Sequence, residues 1–454
     1  MAKREFDVVV IGAGPAGEVV AGRLADNGLE IALCEQELVG GECSFYACMP
    51  SKALVRPGEL IGEVGRVPGL QLASEAVDPA AALARRDEVI HDLDDSGMLP
   101  WLEDRGIELI RETARIDGER RVTAGDDVLV ARKAVVVATG SAASLPPIDG
   151  LAEAEPWTNR QGTTAHEVPP GLLVIGGGPV GCELAQAWRS LGSDVVLLEV
   201  ADRILAKEEP FAAEQVGAAL RDDGVDVRAD VEILSVARDE RRFHITLADG
   251  ETLEATELMV AAGRKPRTAD LGLESVGLEP GKPLSVDDQM VVKGQDWLYA
   301  IGDVNERVLL THSGKYQARV AADVILGLDA RASADLPGSP RVTFTDPQVA
   351  AVGLTLAAAE EAGMNVRAVD VGTSANAGAS FHGRDTEGTS RLVVDEDRRV
   401  LVGATFTGYQ TAELLHAATI AIVAEVSLEQ LWEAIPVFPT RNEVWLRLLE
   451  EYGL

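Results

Sequence analysis

Residues 40–52 read GGECSFYACMPSK and place Cys43 and Cys48 five positions apart. The chain has four cysteines in all, Cys34, Cys43, Cys48 and Cys182. That is too few for a disulfide-stapled scaffold, and a close thiol pair in such a chain suits redox or metal chemistry better than structural stapling. Zinc finds little support, because no other cluster of Cys or His accompanies the pair. Cys34 and Cys182 lie in apolar surroundings and read as small core residues.

Two glycine-rich turns carry a second kind of chemistry. FDVVVIGAGPAGEVVAGRLADNGLEIALCEQ reads as strand, turn, helix and strand, with Gly12, Gly14 and Gly17 in the G-x-G-x-x-G turn. The first glycine permits the tight turn, the second lets backbone approach a pyrophosphate, and the third lets helix pack on strand. The helix N-terminus then presents unpaired N–H groups to the phosphates. Glu35 ends the second strand, 18 residues after Gly17, where a carboxylate can accept hydrogen bonds from a ribose diol. LLVIGGGPVGCELAQAWRSLGSDVVLLE repeats the unit with Gly176, Gly178, Gly181 and Glu199. Two complete units, about 160 residues apart, imply two dinucleotides. Glu199 favours NADH over NADPH, since a carboxylate repels a 2′-phosphate.

These motifs need a framework, and the length of 454 residues allows two or three domains. Hydrophobic residues make up 46% and charged residues 25%, an ordinary globular mix, while aromatics at 4% leave a core of Val, Leu, Ile and Ala. Acidic residues outnumber basic ones 74 to 41, a net charge of −33. That argues against nucleic acid or an anionic membrane as partner. No apolar run is long enough to span a bilayer and no leader pattern is visible, so the expected location is cytoplasmic. Pro/Gly-rich breaks near residues 150, 275 and 337 mark joints. Alternating strand-like runs and two helix-like stretches follow the last break, an α+β tail without a phosphate loop. His416, in an apolar helical stretch, reads as a core residue.

Taken together, these motifs resemble the class I pyridine nucleotide–disulfide oxidoreductases, such as dihydrolipoamide dehydrogenase, glutathione reductase and mercuric reductase, over essentially the whole chain. The resemblance implies an α/β fold: two Rossmann-like dinucleotide-binding domains, for FAD and NAD, and a C-terminal α+β dimerisation domain. It implies an FAD-binding domain at 1–150, resumed as a central part at 273–337, an NAD-binding domain at 151–272, and a dimerisation domain at 338–454. VVVATGS (Val135–Ser141) is similar to the family's second flavin-domain strand and turn, WLYAIGDV (Trp297–Val304) to its A-x-G-D motif, and AAGRKPRT (Ala261–Thr268) to the strand end beside the nicotinamide. By that match FAD would be held by Gly12, Gly14, Gly17, Glu35, Gly41, Lys52, Ala114, Thr139, Gly140, Ser141 and Asp303. The nicotinamide nucleotide would be held by Gly176, Gly178, Gly181, Glu199, Gly263 and Arg264. No resident metal is expected. Family members are homodimers whose active site takes residues from both subunits.

GGECSFYACMPSK is similar to the family's GGTCxNxGCxPSK. Cys48 would then be the thiol beside the flavin and Cys43 the interchange thiol that meets the substrate. Lys52 would sit near flavin N5, and Glu183 would be its ion-pair partner, keeping an ammonium charged where reduced flavin carries negative charge. A disulfide between the two cysteines needs a distorted helix. In an ideal helix, residues i and i+5 lie about 7.5 Å apart along the axis and about 140° apart around it. Their Cα atoms would be about 8–9 Å apart, beyond the ~7 Å limit. Cys43 is therefore expected in a non-helical lead-in and Cys48 in a first helical turn, with Gly40 and Gly41 supplying the freedom. A helix N-terminus also favours a thiolate.

The match fails at informative places. The family's H-P-T-x-x-E motif, whose His exchanges protons with substrate thiols, reads here Phe438-Pro439-Thr440-Arg441-Asn442-Glu443. A phenylalanine cannot shuttle protons, and general acid–base catalysis typically contributes 10²–10⁴-fold. Ordinary lipoamide dehydrogenase activity is therefore expected to be weak. Glu42 stands for the family's Thr and Phe45 for its Asn. A carboxylate beside Cys43 would oppose thiolate formation unless it turned to solvent.

The leading expectation is a homodimeric FAD enzyme. It would pass a hydride from NADH through FAD to a Cys43–Cys48 disulfide and on to an unknown small-molecule disulfide or related acceptor. The alternative is an NADH:quinone or diaphorase-type reductase acting directly from the flavin. Two remoter readings are a flavin-bound redox sensor and a proton-excluding carboxylase like 2-ketopropyl-coenzyme M oxidoreductase/carboxylase, which also has Phe at this position but lacks the Glu.

Overall fold

Short β-branched runs and glycine-punctuated helices dominate the chain, and they assemble into two compact units in a computed structural model that describes residues 2–70, 76–336, 338–384 and 386–454. The expected joint residue 337 lies outside the described residues. One unit comprises residues 1–50, 87–143 and 264–336; the other comprises 51–86, 144–263 and 337–454.

In the first unit Val8, Val9 and Val10 are fully buried, as both faces of a parallel strand require. The strand Ala2–Ile11 pairs in parallel with Ile31–Cys34 on one side and with Asp127–Val137 on the other. Glu108–Ile110 extends the sheet beyond Ile31–Cys34, and Leu298–Ala300 pairs in parallel with Asp127–Val137. Arg121–Ala124 and Ala114–Ile116 add an antiparallel flap. The helices Pro15–Ala25 and Thr311–Ile325 pack against each other. Their contact is close because Gly314 faces Gly302 and Ala16: a Cβ there would lie 3.2 Å from the Gly302 Cα.

The second unit repeats the plan. Its parallel sheet runs Asp226–Arg228, Asp194–Leu198, Gly171–Ile175 and Glu257–Val260. An antiparallel sheet of Ile233–Arg238, Phe243–Leu247 and Thr252–Ala255 accompanies it. The tail forms a five-stranded antiparallel sheet, in the order Arg341–Thr343, Gln348–Gly353, Val400–Gly408, Thr389–Asp395, Val366–Gly372. The helices Leu415–Val423 and Glu443–Tyr452 share its core through Ala418, Ala421, Val444 and Leu448. His416 is exposed on its helix, which corrects its reading as a core residue. In an apolar stretch only one face of a helix needs to be buried, and His416 falls on the other. Among the described residues, no helix is long and apolar enough to cross a membrane.

Candidate active site

Each glycine loop is built by the same local physics. Gly12 and Gly176 adopt φ of +101° and +110°, where side chains are strained. A Cβ on Gly17 would sit 1.9 Å from the Gly12 carbonyl oxygen, and one on Gly181 would sit 1.9 Å from that of Gly176. Nothing lies within 4 Å of the Cβ position of Gly14 or Gly178. These residues precede the helices Pro15–Ala25 and Pro179–Ser190, and neither helix has a side-chain cap. Each loop thus offers space and free N–H groups at the positive end of a helix, a cradle for a pyrophosphate.

The strand-end carboxylates are oriented by their own loops. Glu35 accepts hydrogen bonds from Ala13 N at 2.8 Å and Glu37 N at 2.8 Å. Glu199 does the same with Gly177 N at 2.6 Å and Ala201 N at 2.8 Å. Each side chain is thus held at the end of its strand, where a ribose diol can reach it.

Cys43 lies in a one-turn helix, Gly41–Phe45, and Cys48 opens the next helix, Cys48–Arg66. This corrects the expected non-helical lead-in for Cys43. The chain gains the necessary bend at Tyr46 (φ −133°, ψ 0°), after the short helix rather than before it. Gly40 and Gly41 both have positive φ and set the entry, and Gly41 packs directly on Gly14. The two cysteines are not joined in a disulfide, and they hydrogen-bond to each other. That mutual hydrogen bond, burial and the negative charge Cys48 would carry hold the Cys43 thiol well above its ordinary value. Thr311 Oγ1, at the start of the helix Thr311–Ile325, is 3.4 Å from Cys48 Sγ and also hydrogen-bonds Cys43. The thiols therefore lie at a helix N-terminus, which favours a thiolate.

Glu42 does not turn to solvent. Its Oε1 accepts a hydrogen bond from Arg267 Nη2 at 3.1 Å, and Arg267 in turn donates through Nε to the Ser141 carbonyl at 3.2 Å. The guanidinium offsets the carboxylate's effect on the neighbouring Cys43. Thr139 Oγ1 donates to the Arg267 carbonyl, and Gly140 adopts φ +68°. Ser141 Oγ donates to Asp303 Oδ2 at 2.5 Å and accepts from Arg264 Nε at 2.6 Å. Ser141, Asp303 and Arg264 thus form one cluster, although the sequence motifs assign them to different cofactors. Ala114 is a buried residue on the flap strand.

In the second unit, Lys52 Nζ meets Glu183 Oε2 at 2.6 Å. Phe344 completes the arrangement: its ring lies under Nζ at 4.6 Å, and its backbone N–H donates to Glu183 Oε1 at 2.8 Å. Glu183 is buried and both its oxygens are engaged, so Lys52 has a fixed counter-charge. Gly263 adopts φ +132°. At the tail, Phe438 is 73% exposed, flanked by exposed Val437 and Ile435. Glu443 opens its helix, buried, with Oε2 lacking a hydrogen-bond partner.

Residues 6–321 match the model of the pyridine nucleotide-disulphide oxidoreductases. The chain belongs to this family. Residues 339–448 match the dimerisation domain of the pyridine nucleotide-disulphide oxidoreductases. A mercuric reductase of Staphylococcus aureus is 30% identical over 97% of this chain and 81% of the relative. A dihydrolipoyl dehydrogenase of Thermus scotoductus is 33% identical over 97% of this chain and 96% of its own length. Among solved structures, the Cu(II) complex of the HOCl-induced flavoprotein disulfide reductase RclA from Escherichia coli superposes with a TM-score of 0.87 at 25% identity, over 98% of this chain and 99% of that one. The protein is thus an FAD-dependent pyridine nucleotide–disulfide oxidoreductase, and the two cradles fit the family's FAD and nicotinamide nucleotide.

Thr311, Arg267 and Phe344 were missed from the sequence. Only Arg267 left a trace there, as a cation close behind Gly263 and Arg264. Cys34 and Cys182 are buried, and burial raises the Cys34 thiol to about 12. Both belong to the hydrophobic cores of their units.

Proposed function

We propose that this oxidoreductase takes a hydride from NADH and delivers two electrons through FAD to a Cys43–Cys48 disulfide, which passes them to a small-molecule disulfide or a related acceptor. The observation that supports this most is the thiol pair itself, hydrogen-bonded at the first turn of the helix Thr311–Ile325. Bound FAD supplies the two-electron relay between nicotinamide and sulfur. Breaking the S–S bond takes two electrons and two protons; reducing the acceptor returns the pair to the disulfide. Cys48 is assigned to the flavin side and Cys43 to the acceptor.

In this reading the loop of Gly12, Gly14 and Gly17, with Gly41 packed on it, holds the FAD pyrophosphate, and Glu35 holds a ribose. Ala114, Thr139, Gly140, Ser141 and Asp303 line the rest of the FAD site. Gly176, Gly178, Gly181 and Glu199 hold the nicotinamide nucleotide, with Gly263 and Arg264 at its far end. The nicotinamide domain is assigned to residues 151–272. Glu199 supports NADH over NADPH, because an acidic residue at this strand end opposes a 2′-phosphate. Lys52, ion-paired with Glu183, is assigned the role of offsetting negative charge on reduced flavin. The chain works as a homodimer with Phe438 of one subunit facing the acceptor side of the other.

A direct NADH:quinone activity is the second reading, and the exposed ring of Phe438 favours it, since no proton-transfer group stands there. Anaerobic NADH titration separates the two. Four electrons per subunit with a long-wavelength charge-transfer band support the disulfide route. Two electrons with rapid quinone turnover support the direct route. The acceptor panel should hold disulfides, quinones, Hg(II) and Cu(II), since a mercuric reductase and a Cu(II)-bound flavoprotein disulfide reductase are among the similar proteins.

A further inference from the structure

The short turn that carries Cys43 has a pliant point at each end. Gly40 and Gly41 enter it with φ of +112° and +57°, and the chain bends again at Tyr46. Phe45 anchors the end of the turn by burial. Its start is held through Glu42, the residue before Cys43. Glu42 Oε1 accepts from Arg267 Nη2 at 3.1 Å, and Glu37 Oε1 stands 4.0 Å from Nη1 of the same guanidinium. Arg267 is itself fixed at three points by residues 139–141. Its N–H donates to the Gly140 carbonyl at 3.0 Å, its carbonyl accepts from Thr139 Oγ1 at 2.9 Å, and its Nε donates to the Ser141 carbonyl at 3.2 Å. The strand Arg264–Pro266, just before it, pairs antiparallel with Ser141–Ala143. The side chains of Glu42 and Arg267 are 21% and 29% exposed. A pair so far withdrawn from water, with one partner already held by backbone, gives up less entropy on forming than two free surface side chains.

We propose that Arg267 is a positioning residue for the two cysteines: through Glu42 it ties the turn of Cys43 to residues 139–141 and keeps the Cys43 thiol placed to bond with that of Cys48. The tie rests on the reading of Cys43 and Cys48 as a redox pair. Closing a disulfide brings the two Cβ atoms to about 3.8 Å. A turn that can swing at both ends reaches that geometry only part of the time unless it is restrained. Restraint raises the effective concentration of one thiol at the other, and so favours the disulfide. A threonine, the family's residue at position 42, could not form this ion pair, so the tie depends on the exchange of Thr for Glu that sets this chain apart.

The test equilibrates FAD-loaded protein without oxygen in mixtures of reduced and oxidised dithiothreitol. Free thiols are then alkylated, and those of Cys43 and Cys48 are counted by mass spectrometry. In the exchange, two electrons and two protons pass from the cysteine pair to the oxidised reagent, and the S–S bond forms in the protein as the reagent's bond breaks. Glu42→Gln and Arg267→Met should each lower the equilibrium constant for disulfide formation by about threefold to tenfold, between the worth of an exposed ion pair and that of a buried charged hydrogen bond. The double variant should lose no more than the larger single loss, because both changes remove one contact. A wild-type constant in Glu42→Gln overturns the tie, and so do losses that add in the double variant. Should Arg267→Met lose its FAD, Glu42→Gln still decides the matter, since it leaves the bonds from Arg267 to residues 139–141 in place. A wild-type protein that forms no disulfide would overturn the redox-pair reading together with the tie, which distinguishes that failure from a disulfide that the variants do not weaken.

Discussion

Phe438 and Glu443, five residues apart, have opposite environments: the ring is 73% exposed, and the carboxylate is 7% exposed with one oxygen unpartnered. The Glu of the family's motif is thus kept as a buried residue, while the position of its His is an exposed Phe. An apolar ring on the surface of a dimerisation domain is suited to contact with a second subunit.

Phe438→His should restore a proton carrier that Glu443 can orient. Disulfide or dihydrolipoamide turnover is expected to rise by at least about tenfold, short of or up to the 10²–10⁴-fold that general acid–base catalysis typically contributes. The rate of flavin reduction by NADH should stay the same. The gain should shrink in Phe438→His/Glu443→Gln. Steady-state assays beside stopped-flow flavin reduction check it, and no gain in any thiol assay would give the direct quinone reading the lead.

Gly181→Ala places a methyl group 1.9 Å from a backbone oxygen in the second glycine loop and leaves the first loop intact. The purified protein should keep its FAD and its dithionite reduction, while NADH reduces it more than about tenfold slower. Loss of FAD instead of NADH reactivity would show that the two loops have been assigned the wrong way round.

Glu183→Gln removes the counter-charge from Lys52 and leaves the Phe344 ring in place. Flavin reduction by NADH should slow about tenfold, and the flavin midpoint potential should shift, with fold and FAD content unchanged. Stopped-flow absorbance and a potentiometric titration read both quantities. Wild-type values in both would remove Lys52 and Glu183 from the electron route.

Ile435→Asp with Val437→Asp puts two charges into the exposed apolar stretch beside Phe438. If this stretch is the subunit contact, light scattering should show the dimer giving way to monomer, with disulfide turnover lost and NADH–flavin reduction kept. A variant that remains dimeric would place the subunit contact elsewhere on the dimerisation domain.

Wherever backbone geometry leaves a single residue type, the sequence determined the outcome by itself. Gly12, Gly17, Gly176 and Gly181 are forced by positive φ or by a carbonyl oxygen in the way of any Cβ, and Val8–Val10 by burial on both faces of a strand. The fold and the two cradles could therefore be read directly, while the Lys52–Glu183 pair came from the family resemblance. Tertiary structure decided what depends on distant segments meeting. Glu42 finds Arg267 across 225 residues and Cys48 finds Thr311 across 263. Phe344 comes under Lys52 only when the tail docks within its unit. His416 is exposed because a local apolar pattern does not specify which face of a helix its neighbours cover. Cys43 sits in a helical turn of its own because the bend comes after it, at Tyr46, a backbone choice that the two preceding glycines left open.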